Sequence, residues 1–513
     1  MLSPTRYDIL DALGVLVWDE NREFTARNTE DMEELVRRDR NHAAVIVWSA
    51  CNEVECVVSG GANDTGRLMR EATKRWDTTR PFGANCWYNV HDQVPNLAHF
   101  ADVEGFSHGA VSGNGGSFVK EIHADNPGKA VVSSECCSCE SQRGEDVANA
   151  SAGVSYPHSL AQAQCLERCM EHSYPYWRGN PSPVAGVVAG TLGVWTLFDY
   201  GGEPGPWPLV ASSFGQFDMA GFAKSASYWY RSLWLAAVAA DDPGRPPLPA
   251  THVVRVSQTW NANAAAPLPP QMDVQVFSDL PLIELVMNGD SLGSAPCAPG
   301  GFASFLNVTY APGNLTAVGR QSAGGRVLGS HTQLAAGAPA SIELSLDAPS
   351  VATGTGSALL LDGHDAAMVR ATVRDASGRV VDGADNLLTF AVKSGPGRVV
   401  GVHNGDAKSH EPQIATSRRA YHGLARAVVK VTVDAASVAP AHLELLATEV
   451  EVGGGAGRIV IRHGGNADEG PIVVTATSPG LASGEVTIPV STDADADSVL
   501  AVAAASTQLD LTF

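Results

Sequence analysis

The sequence predicts a multidomain chain in which an α/β region is followed by small β-sandwiches, and three observations carry this. At 513 residues the chain is too long for one domain and implies roughly three or four. Up to about residue 240, short apolar runs alternate with amphipathic stretches, the pattern of a parallel sheet covered by helices. Beyond that point, short alternating runs are separated by regular turn signals. The 52 Gly and 30 Pro suit the many turns this requires.

The first region reads as follows. GVLVWDE (Gly14–Glu20) is a buried strand. NTEDMEELVRRDR (Asn28–Arg40) is a helix: Asn28 can cap it, acids fill its first turn, bases fill its last, and Met32, Leu35 and Val36 line one face. AVIVWSA (Ala44–Ala50) is the next strand, and TGRLMREATKRW (Thr65–Trp76) the next helix, with Leu68, Met69, Ala72 and Trp76 on one side. PFGANCW, ADVEGF, AVVSS and VAGVVAGTLGVW follow as strands, with helical stretches at Phe118–His123 and Ser159–His172 between them. FAKSASYWYRSLWL (Phe222–Leu235) closes the region as an aromatic-rich amphipathic helix. The strands are near-continuous apolar runs, as expected when both faces are buried. Polar residues follow several of them: Asp19-Glu20, Asn52-Glu53, Ser107-His108 and Glu135, with Asp199 beyond the last. In a β/α barrel that end of each strand carries the active site; six such strands are visible, not eight.

GRPPLPA (Gly244–Ala250) and AAAPLPPQ (Ala264–Gln271) read as linker and loop. MDVQVFS, LIELVMNG, SIELSLDAP, AMVRATVRDASG, LLTFAVKSGPG, RAVVKVTV, GPIVVTATSPG and GEVTIPV then alternate as sandwich strands do.

A net charge of −21 argues against nucleic acid and against anionic membrane surfaces as partners, because both need basic stripes and none is present. A neutral sugar is unaffected by that argument. No segment reaches the roughly 18 continuous apolar residues of a membrane span, and MLSPTRYDIL shows no signal peptide, which leaves the compartment unassigned. The nine cysteines, an odd number, weigh weakly towards a reducing compartment. Cys136, Cys137, Cys139, Cys165 and Cys169 lack the spacing of a structural zinc site, so no metal is expected.

Cleavage of a glycosidic bond needs two carboxyl groups at the anomeric carbon, one as general acid and base, the other as nucleophile or as base. Glu53 ends VIVWSACNE and Glu135 ends AVVSSE, on the second and fifth visible strands. Here the chain resembles glycoside hydrolase family 2. AVIVWSACNE is similar to its acid/base motif and KAVVSSE to its nucleophile strand. LDALGVLVWDENREF resembles the third barrel strand, and GVWTLFDYGGEPGPW with SSFGQFDMAGFAKSASYWYRSLW the eighth strand and closing helix. QVFSDLPLIELVMNGDSLG and VTYAPGNLTAVG resemble the sandwich after the barrel in a β-galactosidase branch. NLLTFAVKSGPGRVVGVHNGDAKSHEP and PIVVTATSPGLASGEVTI resemble that branch's last immunoglobulin-like domain.

The resemblance implies a partial TIM (β/α)8 barrel over residues 1–240, with about six of eight strands and shortened at its N-terminus. A β-sandwich over 250–328 and an immunoglobulin-like β-sandwich over 340–493 follow, the latter with an insertion near 434–470, and a tail covers 494–513. It implies a retaining glycosidase for terminal β-linked sugars, galactosides first, with no cofactor. A truncated, inactive carbohydrate- or protein-binding relative is the alternative, and a homo-oligomer stays open. Glu53 would be the acid/base and Glu135 the nucleophile, with carboxyl groups roughly 5–5.5 Å apart. Asn52 would bind the sugar's 2-hydroxyl and Trp195 would floor the sugar site. Trp18, Asp19 and Glu20 would lie near the pocket, and His108 would stand where relatives place a tyrosine on the nucleophile. Asn404-Gly405-Asp406 reads as a structural turn rather than a ligand loop.

Overall fold

A computed structural model describes residues 4–21, 29–53, 62–87, 100–107, 128–135, 139–143, 195–204, 207–241, 252–261, 268, 270–298, 301–350, 355–361, 363–432 and 470–491. The sixth expected strand, the helical stretches at 118–123 and 159–172, the insertion near 434–470 and the tail fall almost wholly outside them. The described residues divide into two compact units.

The first unit is an α/β layer. Helix α1 (Pro4–Leu13) leads into β1 (Val17–Glu20), α2 (Thr29–Asp39), β2 (Val45–Asn52), α3 (Ala62–Trp76), β3 (Phe82–Trp87), β4 (Val103–Ser107) and β5 (Ala130–Glu135). The five strands form one sheet in chain order, and every neighbouring pair is parallel. Their carboxyl ends therefore share one edge, where polar residues can gather without entering the core.

The core lies between sheet and helices: Met32, Leu35 and Val36 of α2 and Met69 of α3 pack with Val45, Trp48, Ala50, Phe82 and Ala84 of the strands. Each large side chain fully buried there contributes about 1.5–3 kcal/mol. Helix α1, which the apolar periodicity did not announce, adds Tyr7 to that core and ends at Gly14 with φ +67°, the left-handed cap that glycine adopts without cost. Its Asp11 accepts the Ala44 N–H (2.6 Å) and meets His42 Nδ1 (2.7 Å), which fixes the entry to β2.

A second clamp sets the pitch of β2. Arg80, between α3 and β3, donates to the carbonyls of Val45 (2.6 Å), Arg40 (3.0 Å) and His42 (2.9 Å) and to Asp77 (2.6 Å). Asp77 also accepts the indole N–H of buried Trp48 (2.9 Å). Burial pushes the Asp77 carboxyl up, but the hydrogen bonds from Thr79, Arg80 and Trp48 outweigh it and hold it well below the usual carboxylate range.

The second unit is mostly β. Helix α4 (Ser225–Asp241), with Trp229 fully buried, lies against β7. One sheet has the order β10-β7-β6 and another β12-β11-β8-β9. These strands are β6 (Val254–Val256), β7 (Gln271–Ser278), β8 (Leu282–Met287), β9 (Asp290–Pro296), β10 (Ala303–Thr309), β11 (Asn314–Arg320) and β12 (Val327–Leu334). Val274 and Val276 of the first sheet and Ile283, Leu285, Leu315 and Ala317 of the second share one core, so the two pack face to face.

The next strands are β13 (Pro339–Ala348), β14 (Leu359–Leu360), β15 (Ala366–Asp375), β16 (Leu387–Ser394), β17 (Gly397–His403), β18 (Ser417–Arg419), β19 (Leu424–Val431), β20 (Ile472–Thr477), β21 (Gly484–Ile488) and β22 (Val490–Ser491). They build a sheet β13-β15-β19-β17, a sheet β18-β16-β20-β21 and a short β14-β22 pair. Val369, Ala371, Ala427 and Val429 of one four-stranded sheet face Leu388, Phe390, Val474 and Ala476 of the other.

The turn Asn404-Gly405-Asp406 holds this last sandwich to a segment earlier in the chain. Arg143 donates to Asp218 (2.7 Å) and to the Asn404 carbonyl (2.6 Å), and Asp218 also accepts the N–H groups of Ala220 and Phe222 (both 2.9 Å). The guanidinium groups of Arg143, Arg370 and Arg426 gather 4.5–5.5 Å from the Phe222 ring, where its π face attracts cations. Gly405 has φ +82°, and a Cβ there would stand 1.9 Å from Asp218 Oδ2. The substitution Gly405→Ala is therefore expected to destabilise this unit by about 2–4 kcal/mol, from strained φ and a displaced buried ion pair. Denaturant unfolding followed by tryptophan fluorescence measures it; an unchanged midpoint would contradict this account of the turn.

Candidate active site

Strand alternation sorts the polar residues of the parallel sheet into two groups. On β1, Val17 and Asp19 turn to the helix layer, where Asp19 accepts the Tyr7 hydroxyl (2.7 Å). Trp18 and Glu20 turn the other way. Glu20 accepts the Ser49 hydroxyl (2.9 Å), and the Trp18 ring fills the space a Cβ on Gly83 would take, 2.7 Å from it. Val47, Ser49 and Gly83 thus line the face away from the helices, and Trp48, Ala50, Phe82 and Ala84 line the helix face.

Strict alternation would send Asn52 to the helix face. The register prevents this: Ser49 pairs with Gly83 and Asn52 with Asn85, so β2 carries one extra residue between the two pairs. This bulge returns Asn52 to the face of Ser49. Glu53 follows at φ 46°, outside the extended region, where a non-glycine residue is uncommon and marks a functional or strained position. A second bulge lies in β5: Phe106 pairs with Ser133 and Ser107 with Glu135. It lets the consecutive residues Ser134 and Glu135 reach the same partner.

That partner is Asn85, two residues before the end of β3 and almost fully buried. Its Nδ2 donates to Asn52 Oδ1 (2.7 Å) and to Glu135 Oε2 (3.3 Å), and its Oδ1 accepts the Ser134 hydroxyl (2.6 Å). One amide therefore joins the tip of β2 to the tip of β5 on the carboxyl-end edge of the sheet. β4 intervenes between β3 and β5, which sets their backbones roughly 9–10 Å apart. The contact crosses at Gly105, where a Cβ would lie 2.6 Å from Ser134 Oγ. The missing side chain of Gly105 is what lets β5 reach Asn85.

Of the residues singled out in the sequence, Asn52 and Glu135 meet through Asn85, and Glu53 is the next residue along. Trp18 and Glu20 face the same side of the sheet. Asp19 does not: it sits in the helix layer beside Tyr7, Arg38 and Asp39. Trp195, half-buried, begins the described segment 195–204, within which buried Asp199 accepts the Gly215 N–H (2.8 Å). His108, Cys136, Cys137, Cys165 and Cys169 lie outside the described residues. Cys51 and Cys139 are disulfide-bonded. Among the described residues, no group of three or more His, Cys, Asp or Glu is placed to hold a metal, and no helix is long and apolar enough to cross a membrane. Asn85 escaped the sequence reading, because an Asn inside PFGANCW carries no signal of its own.

Comparison with known proteins agrees with this architecture. The TIM barrel domain model of glycosyl hydrolases family 2 matches residues 5–103. A domain of unknown function (DUF4982) matches 270–328, and glycoside hydrolase family 2 C-terminal domain 5 matches 352–441. The chain is similar to beta-galactosidase BoGH2A of Bacteroides ovatus, 26% identical over 491 residues that cover 83% of this chain and 53% of the relative. It is also similar to a beta-glucuronidase of Mus musculus, 36% identical over 101 residues, 17% of this chain and 15% of the relative. Its fold resembles the crystal structure of a beta-glycosidase from Bacteroides vulgatus, with a TM-score of 0.66 at 21% identity, covering 95% of this chain and 58% of the other. The chain thus spans about half the length of the Bacteroides ovatus relative.

The Asp19 environment has a measurable consequence. Burial pushes its carboxyl up to about 7; the Tyr7 hydrogen bond opposes this and the neighbouring Asp39 adds to it. A carboxyl raised on folding takes up a proton as the chain folds. Its contribution to stability is complete below the unfolded value near 3.9 and is lost as pH rises through about 7. The Asp19→Asn variant keeps an acceptor for Tyr7 and lacks this titration. Relative to the parent it is expected to gain stability between pH 4.5 and 8, by up to about 1.4 kcal/mol per pH unit. Parallel stability–pH curves for the two proteins would contradict the assignment.

Proposed function

This chain belongs to glycoside hydrolase family 2, and on that premise we propose that it hydrolyses terminal β-linked sugars, β-galactosides first, by a retaining double displacement. The observation that carries the reading is the bridge made by Asn85, which brings the strand tip bearing Asn52 and Glu53 together with the carboxylate of Glu135. Two carboxyl-bearing tips brought to one point are what the reaction needs.

Glu135 attacks the anomeric carbon and a glycosyl-enzyme ester forms as the glycosidic C–O bond breaks. Glu53 delivers its proton to the leaving oxygen, then takes one from the water that cleaves the ester. Asn52 donates to the 2-hydroxyl, and Trp195, Trp18 and His108 line the sugar. Asp19 supports the β1 strand from behind rather than touching substrate. No cofactor takes part, and neither nucleic acid nor membrane is a partner. The sheet is read as part of a (β/α)8 barrel of about six strands over 1–240, and the two sandwiches, over 250–328 and 340–493, as immunoglobulin-like. The preference for galactose rests on the Bacteroides ovatus relative; glucuronic acid is the competing sugar because a relative is named for it.

The test is a panel of aryl β-galactoside, β-glucuronide and β-mannoside with the full-length protein and two variants. Glu135→Gln is expected to lower kcat at least about 1,000-fold on every substrate turned over. Glu53→Gln is expected to lose about 100–10,000-fold in kcat/KM with a poor leaving group and much less with a nitrophenolate, which needs no proton, while kcat falls with both because the water step loses its base. Turnover that survives Glu135→Gln rules out the nucleophile assignment. No turnover of any sugar in the panel rules out the enzyme reading.

A further inference from the structure

Three hydrogen bonds at Asn85 have a direction, and the carboxylate sets it. Glu135 in its ionised form only accepts hydrogen bonds, so the group of Asn85 that faces it, 3.3 Å away, is the –NH2. The carbonyl of Asn85 then faces Ser134, whose hydroxyl donates to it at 2.6 Å. The same –NH2 meets Asn52 at 2.7 Å, which requires the Asn52 carbonyl to point at Asn85. Reversing Asn85, which is almost fully buried, would set its carbonyl against the acceptors of Asn52 and Glu135, at a cost of about 1–3 kcal/mol per mismatched group, and reversing Asn52 would set its –NH2 against that of Asn85. The Asn52 side chain is therefore left to present its own –NH2 to the exposed end of the site.

We infer that Asn85, held by Ser134 across Gly105, is a positioning residue that fixes the polarity of Asn52, so that the sugar hydroxyl facing Asn52 is recognised as a hydrogen-bond acceptor. The inference rests on the proposed role of Asn52 at the 2-hydroxyl. It makes hydroxyl recognition and the placement of Glu135 parts of one hydrogen-bonded chain: Ser134 to Asn85, Asn85 to Glu135 and Asn52, Asn52 to sugar. Asn85 touches no substrate in this scheme. Its effect reaches the sugar through the orientation of a neighbouring amide.

The experiment compares kcat/KM for an aryl glycoside and its 2-deoxy analogue in the parent protein, in Asn85→Asp and in Ser134→Ala. The intrinsic reactivity difference between the two sugars cancels when their ratio is compared across proteins. The carboxyl introduced at position 85 shares a proton with Glu135, which slows both substrates alike, and it no longer supplies the N–H group that holds the Asn52 carbonyl, so Asn52 turns its –NH2 towards position 85 and its carbonyl towards the sugar. The preference for the hydroxyl-bearing substrate is expected to fall at least about 10-fold in Asn85→Asp and by a smaller factor in Ser134→Ala, where Asn85 loses its anchor. A merely structural role lowers both substrates together and leaves the ratio unchanged. An unchanged ratio in a folded Asn85→Asp protein overturns the inference. If that variant does not fold, an unchanged ratio in Ser134→Ala overturns it instead. The Glu135→Gln variant is run alongside: if it keeps activity the nucleophile assignment has failed, and if the parent protein turns over neither substrate the glycosidase reading itself has failed, both of which are different results from an unchanged ratio.

Discussion

The site depends on a hydrogen bond that crosses a strand. Asn85 on β3 holds Glu135 on β5 over the top of β4, and holds Asn52 on β2 at its other side. In a regular sheet, side chains two strands apart stand too far from one another for an amide to bridge them. Three local departures from regularity make the bridge: the bulge that turns Asn52 inward, the bulge that lets Ser134 and Glu135 share a partner, and the absence of a side chain at Gly105. Each weakens the sheet a little, and together they gather polar groups at the strand tips.

Such a site needs a rigid base. The strand that carries Asn52 and Glu53 is pinned at its start by Asp11 on α1 and by the carbonyl contacts of Arg80. It is pinned along its length by the Trp48 indole on Asp77. The indole contact is buried and the other two are partly exposed; each hydrogen bond involves a charged group and contributes about 1.5–3 kcal/mol. Their worth lies less in net stability than in fixing where β2 begins. A strand that begins in the right register delivers its tip to Asn85.

Much of this was legible in the sequence, and the part that was not follows a physical pattern. Helix α2, the apolar strands and the alternating sandwich strands announced themselves through periodicity, because burial against a single neighbour layer imposes a period. Glu53 and Glu135 stood out because each ends an apolar run. Asp19 stood out for the same reason, yet VWDE splits across the sheet: Glu20 turns to the Ser49 face and Asp19 to Tyr7. Alternation from a known neighbour decides such a case; position at the end of a run does not. Asn85, Ser134 and Gly105 have no signal of their own, since their meaning comes from inter-strand register and two bulges. Helix α1 was missed because its contribution to the core is narrow, with Tyr7 fully buried and Leu10 packed only at the edge. The Asn404 turn, by contrast, carries the structural contacts its residues suggest.

The central claim is that Glu135 forms the covalent bond to the sugar. It is tested most directly by trapping the full-length protein with an activated 2-deoxy-2-fluoro glycoside of the β-sugar it turns over, followed by proteolysis and mass spectrometry. The fluorine slows both steps, and the activated leaving group lets the first proceed, so the ester accumulates. The account predicts one sugar per chain, on the peptide containing Ser134-Glu135, and none in Glu135→Gln. A sugar attached to another carboxylate, or turnover with no covalent species at all, would contradict it.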